Sequence, residues 1–176
     1  MNWLLNLDYQ LFSFLNGLAS KNSWFDALVI VFAYWAAFLL PVWLLVWGIL
    51  NRRNINLNKY IFSLVASAVA ARLLLVEIIR FFIVRARPYL AHDGVNQLIL
   101  KGGEPSFPSG HTAPILAVGV VLLKFNKTVG WLVIVLAILV GLSRVVAGVH
   151  YPSDILGGAL VGWLCGLIIV KLFKLK

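Results

Sequence analysis

Residues 143–154 read Ser-Arg-Val-Val-Ala-Gly-Val-His-Tyr-Pro-Ser-Asp, a polar insert between two long apolar runs. Ser143, Arg144, Gly148, His150 and Asp154 crowd into this one stretch. Charge and imidazole at a membrane helix end are costly unless they have a function. Pro152 suits the first turn of a helix and is excluded from a helix interior. A helix is therefore predicted to begin near Tyr151, with His150 just outside it and Asp154 in its first turn. The positive end of that helix, with its free N–H groups, favours an anion such as phosphate. His150 is a candidate nucleophile, and Asp154 is within reach to orient its ring.

The runs on either side set the class. The chain has 176 residues, 62% of them hydrophobic, and only 12% are charged. Its mean hydropathy is +0.96. A soluble domain of this size has no use for so much apolar surface. The expected fold is all-α: a polytopic membrane bundle of five to six helices forming one domain over 1–176, with the active site at the outer helix ends. The formal net charge of +9 sits mainly in loops. Membrane topology accounts for it, and no nucleic-acid partner is expected. The single Cys165 lies in an apolar run, so neither a disulfide nor a thiolate metal site is indicated. The N-terminus lacks a basic region followed by a small-residue cleavage site, so no removed signal peptide is expected.

Residues 1–20 are expected to form an amphipathic helix, with Leu4, Leu7, Leu11, Phe14, Leu15 and Leu18 on one face and Asn2, Asn6, Gln10 and Ser13 on another. It lies in the interface or spans as a poor first helix; the continuous polar face favours the interface. The core occupies 24–174. Spans are expected over 24–50, kinked at Pro41, then 60–84, from Ser109 to about Lys124, 129–142 and 152–170. Arg72 and Glu77 lie inside the second span and are expected to face the bundle interior. Five apart, they do not make an ideal helical pair.

The positive-inside rule orients the bundle. One set of ends carries Arg52, Arg53, Lys59, Lys124, Lys127, Lys171, Lys174 and Lys176. The other carries Lys21, Arg80, Arg85, Arg87, Lys101 and Arg144, together with all three histidines. The first set is read as cytoplasmic, which turns the polar constellation away from the cytoplasm.

Two more segments arrive on the same face. Arg80 and Arg87-Pro88 are seven apart, which would set both guanidiniums on one helix face. Their planar forks suit phosphate oxygens, although interface anchoring would also explain them. In Pro108-Ser109-Gly110-His111-Thr112, Ser109 looks like an N-cap and Gly110 lets backbone N–H groups approach an anion. An unperturbed histidine titrates near neutrality, which makes His111 a candidate general acid. An ordinary cap with a loop histidine is the plainer reading. His92 and Asp93 are read as solvated loop residues.

Together these segments resemble the type 2 phosphatidic acid phosphatase superfamily of membrane lipid phosphatases. Its motifs are Lys-x6-Arg-Pro, Pro-Ser-Gly-His and Ser-Arg-x3-Gly-x-His-x3-Asp. Order and spacing match from the second span to the C-terminus, except that Arg80 stands where the family usually has Lys. The resemblance implies that His150 attacks phosphorus and forms a phosphohistidine, with Asp154 orienting its ring. It implies that His111 protonates the leaving group and then activates water. Arg80, Arg87, Ser109, Gly110 and Arg144 would hold the phosphoryl oxygens. No cofactor and no metal are expected, because the six carboxylates are scattered. The partners implied are a membrane lipid phosphate or diphosphate and the bilayer, with no obligatory protein partner evident.

Asp8, Phe12, Asn16-Gly17, Asn22 and Asp26 add a likeness to small undecaprenyl-diphosphate phosphatases of the bacitracin-resistance type. Some of those carry Asp where Gly110 stands here. That likeness implies a bacterial cytoplasmic membrane location with an extracytoplasmic site. The alternatives within the class are phosphatidylglycerophosphate, phosphatidate and lipid A phosphatases. A non-catalytic lipid-binding or transport protein is the alternative outside it, disfavoured because it would need no general acid.

Overall fold

The computed structural model describes residues 2–100, 102–103 and 105–175. Lys101 and Lys176, two of the lysines counted above for orientation, lie outside them. The described chain is all-helical. In order, it forms α1 (Asn2–Asn16), α2 (Ser23–Leu50), α3 (Leu57–Phe82), the single turn α4 (Pro88–Ala91), α5 (Thr112–Leu122), α6 (Lys127–Val146) and α7 (Pro152–Leu172). Four of these, α2, α3, α6 and α7, are long and apolar enough to cross a bilayer.

The third expected span is shorter than predicted. α5 has 11 residues, so it is about 16 Å long at ~1.5 Å per residue, against a hydrocarbon core of about 30 Å. It is a buried central post, walled by the longer helices: Thr112, Ala113, Ile115 and every residue from Ala117 to Leu122 are buried. Close approach explains how it fits. Gly162 and Gly166 of α7 face α5, and Gly158 continues the stripe against Ser109 in the turn before it. A Cβ at Gly162 would lie 2.3 Å from the Ala113 carbonyl oxygen. In lipid, such small residues let backbones pack where larger side chains would hold them apart.

α2 and α3 are each interrupted by a π-turn, at Val31–Trp35 and Ala70–Leu75. The second overturns one expectation. A π-turn adds a residue per turn, so Arg72 and Glu77, five apart, are brought onto one face and form an ion pair. Glu77 is not turned into the bundle interior, whereas Arg72 reaches towards Gly110; their side chains are 47% and 33% exposed.

At 15 residues, α1 falls short of the ~20 that a crossing requires. It has three faces rather than two. Leu4, Leu7, Leu11 and Phe14 are exposed, as are Asn6, Gln10 and Ser13. Between these faces runs a stripe, Asp8, Phe12 and Asn16, that is buried against the protein. The Asn16 amide donates to the carbonyls of Asn96 and Val146 at 2.8 Å each, and its oxygen accepts from the Asn96 N–H at 3.0 Å. α1 is thereby fastened to the turn between α6 and α7, where His150 lies.

Candidate active site

The α6–α7 turn is built by its sequence. α6 ends at Val146, so Ser143 and Arg144 belong to its last turn rather than to the loop. Gly148 follows at φ +80°, the left-handed conformation that closes a helix C-terminus and that a side chain would strain. α7 opens on Pro152, with Tyr151 as its cap residue and Asp154 at its third position. Asp154 Oδ2 accepts the Tyr151 N–H at 2.8 Å, a capping bond that pins the carboxylate at the helix start. The same oxygen lies 3.3 Å from His150 Nδ1.

Arg87 closes the other side of the imidazole. It is fully buried, donates to the Val149 carbonyl at 2.9 Å and lies 3.2 Å from His150 Nε2 through Nη1. It does not share a helix face with Arg80. α3 stops at Phe82, and residues 83–87 run on without helical structure until Arg87 precedes α4. Arg80 stays in the last turn of α3 and donates to the Pro108 carbonyl at 3.2 Å. Arg144 donates to the Ala33 carbonyl, within the π-turn of α2, at 2.7 Å. Ser109 is buried: its N–H donates to the Asp154 carbonyl at 2.9 Å, and its Oγ accepts from the Thr112 N–H at 3.4 Å, although the cap residue of α5 is His111 rather than Ser109. Gly110 is buried beside it, and His111 stands immediately before α5. Among the described residues, no group of three or more His, Cys, Asp or Glu side chains is placed to hold a metal ion.

The contact with Arg87 favours one tautomer of His150. A guanidinium only donates hydrogen bonds, so Nε2, which faces Arg87, is the acceptor and carries the lone pair. The proton then sits on Nδ1 and points at Asp154. The pKa of the ring is held well below the usual histidine value, first by burial and then by Arg144, Arg87 and Arg80. In that state the Nε2 lone pair faces Arg87, inside a field of three guanidiniums.

A family model described as the PAP2 superfamily matches residues 57–176. The chain belongs to the PAP2 superfamily. It is 35% identical over 165 residues to the bacitracin transport permease protein BcrC of Bacillus licheniformis, covering 94% of this chain and 79% of the relative. It is 30% identical over 171 residues to the undecaprenyl-diphosphatase BcrC of Bacillus subtilis (strain 168), covering 94% of this chain and 83% of the relative. The crystal structure of Aquifex aeolicus LpxE matches with a TM-score of 0.78 at 29% identity, over 94% of this chain and 95% of that one. As a PAP2 phosphatase, the chain is a multi-pass membrane hydrolase acting on a membrane lipid phosphate.

The matched PAP2 region leaves out α1 and α2, yet α1 reaches the site. Arg85 donates through Nη1 to Asp154 Oδ1 at 2.8 Å and through Nη2 to Asp8 Oδ2 at 2.6 Å. Ser153 donates to Asp8 through its N–H at 2.9 Å and its hydroxyl at 2.5 Å. The Arg85 guanidinium also lies 3.8 Å from the Tyr151 ring centroid, a cation–π contact. Sequence reasoning gave Arg85 and Asp8 no role in the site; an arginine between two motif positions was the available signal. His92, read as solvated, is half-buried. Its ring centroid lies 4.1 Å from that of Tyr9 and 6.1 Å from that of Tyr151, because α1 covers it.

Proposed function

We propose that this PAP2 enzyme hydrolyses undecaprenyl diphosphate to undecaprenyl phosphate and inorganic phosphate. The observation that carries the mechanism is the placement of His150, with Nε2 3.2 Å from Arg87 among guanidiniums and Nδ1 3.3 Å from Asp154. His150 Nε2 attacks the distal phosphorus, and Asp154 stabilises the imidazolium character that develops. His111 donates its proton to the departing bridging oxygen and then takes one from the water that hydrolyses the phosphohistidine. Arg80, Arg87, Arg144, Ser109 and the Gly110 backbone hold the phosphoryl oxygens as charge shifts towards the leaving oxygen.

The choice of lipid is supported by the undecaprenyl-diphosphatase BcrC of Bacillus subtilis, 83% of whose length this chain covers. The matching experiment is a substrate panel on detergent-purified protein: prenyl diphosphates, phosphatidate, phosphatidylglycerophosphate and lipid A. Prenyl diphosphate should give the highest kcat/KM, unchanged by excess EDTA and blocked by vanadate. A higher value for another lipid overturns the substrate, and loss with chelator restored by Mg²⁺ overturns the arginine-only site.

The site is proposed to face outward from the bacterial cytoplasmic membrane. The ends of α2, α3, α5, α6 and α7 opposite His150 carry Arg52, Arg53, Lys59, Lys124, Lys127, Lys171 and Lys174, the pattern of cytoplasmic ends. In a Cys165→Ser background, a cysteine at Gln97 should react with an impermeant thiol reagent in intact cells, and one at Lys174 should not. The reverse pattern overturns the orientation.

A further inference from the structure

Arg72 is absorbed by none of the three motifs, and its surroundings are unusual. It sits in the middle of α3, where ionised side chains are costly. The ion pair with Glu77 offsets part of that cost but does not explain why two ionisable residues stand there. The side chain reaches over the Pro-Ser-Gly-His turn: a Cβ on Gly110 would lie 3.0 Å from Arg72 Nε. Glu77, its partner, also stands 3.5 Å from Arg80 Nη1. Arg72 is therefore joined on one side to the turn that carries His111 and on the other to a site arginine.

Arg72 also lines a cavity of about 460 Å³ between α2, α3 and α5. Its walls are apolar along Pro41, Leu44, Val69 and Val118; Arg72 and His111 are its ionisable lining residues. Phe38 and Leu73, also among its lining residues, are each 59% exposed. The cavity offers apolar surface to a hydrocarbon chain and ends on a guanidinium beside the residue proposed to protonate the leaving oxygen.

We propose that Arg72 is the subsite for the phosphate that remains on the lipid, and hence a determinant of preference for diphosphate head groups. The inference rests on the lipid diphosphatase reading above. In the transfer step the His150 Nε2–P bond forms and the bond from distal phosphorus to the bridging oxygen breaks. The bridging oxygen leaves with the lipid monophosphate and takes the His111 proton. The leaving group thus carries a phosphate of its own, and Arg72 is the cation placed on the lipid side of His111 to hold it. The fork geometry of arginine lets it bind that phosphate while keeping one N–H on Glu77.

The test separates the two phosphate positions. A prenyl methylene-bisphosphonate, which cannot be cleaved, occupies both; vanadate occupies the distal one alone. In Arg72→Gln the inhibition constant of the bisphosphonate should rise at least tenfold, with less than a threefold change for vanadate. Arg72→Lys, which keeps the charge and the ion pair, should give a smaller rise for the bisphosphonate and the same vanadate value. An unchanged bisphosphonate constant in both variants, or equal losses for the two inhibitors, overturns the subsite. Failure of the wild-type protein to hydrolyse any prenyl diphosphate is a different result, and it overturns the proposed substrate instead.

Discussion

The site has two sides that use the same chemical pair for different ends. On the sealed side, Arg85 bridges Asp154 and Asp8, and Arg87 lies under His150 with no exposed surface. On the open side, Arg72 pairs with Glu77 at the head of an apolar cavity. The sealed carboxylates have their oxygens occupied by directed donors, so geometry is fixed before substrate arrives. That is the arrangement a nucleophile needs, because a misplaced imidazole loses far more than a loosely held lipid. The open pair is half exposed and can exchange partners, which suits a group that must bind and release. Closure and access are thus divided between two arginines absent from the family motifs.

The largest effect should come from the sealed side. His150→Ala should abolish turnover while the protein remains folded and monodisperse, since the covalent intermediate is lost. Ordinary activity in this variant would remove His150 from its role. The pH dependence has a definite sign. The folded-state pKa of His150 is depressed, so the imidazole stays neutral in the folded protein as pH falls past the ordinary histidine value of ~6.5. The acid limb of kcat/KM should therefore lie below that pH. In the same window the unfolded chain binds the extra proton, so stability declines as pH falls from ~6.5 towards the folded pKa. His150→Ala should lose that part of the acid destabilisation, read as the pH dependence of Tm in detergent.

Next comes Arg80, which stands between the two sides, bonded to Pro108 and near Glu77. Arg80→Ala should lose about 2–4 kcal/mol of transition-state stabilisation, the range for removing a preorganised donor from a developing anion. Arg80→Lys restores the residue usual in the family and should retain substantial kcat/KM. Equal values for Ala and Lys would mean that the charge is not holding phosphate, and the boundary between the two sides would have to be redrawn.

What the sequence could reveal follows from how far apart the partners lie. The α6–α7 turn was legible because Gly148, Pro152 and Asp154 act within a few residues of His150. The long apolar runs and the basic helix ends were equally local. Three features escaped for physical reasons. The Arg72–Glu77 pair was dismissed because a spacing of five fails in an α-helix; the π-turn at Ala70–Leu75 restores it, and apolar pattern does not announce such a turn. α5 was read as a full span because its apolar run is continuous with the turns at both ends. The stripe Gly158, Gly162, Gly166 was visible as small residues at intervals of four and could have signalled a closely packed neighbour. The Arg85 bridges join residues 77 and 69 positions apart, beyond any periodicity. Asp8 was noticed only as part of a likeness, with no partner to give it a role.

The smallest effect, and the one that tests the division most finely, concerns Arg85. It touches no proposed phosphate position, so it is a positioning residue acting through Asp154. Without it, Asp154 Oδ1 loses a charge-assisted hydrogen bond and the carboxylate can rotate away from His150 Nδ1. Hydrogen bonds to charged groups contribute about 1.5–3 kcal/mol, so Arg85→Gln should lower kcat by about that amount with KM nearly unchanged. Arg85→Lys should recover part of the loss, since one donor still reaches the carboxylate. Asp8→Asn should have a weaker effect of the same kind, because Asp8 holds Arg85 rather than Asp154. The two should be non-additive: with Arg85 already removed, Asp8→Asn should cost little more, a coupling that a double-mutant cycle on kcat measures directly. Additive losses, or a rise in KM with kcat preserved, would show that α1 merely covers the site and that the sealed side does not depend on the bridge from Asp8 to Asp154.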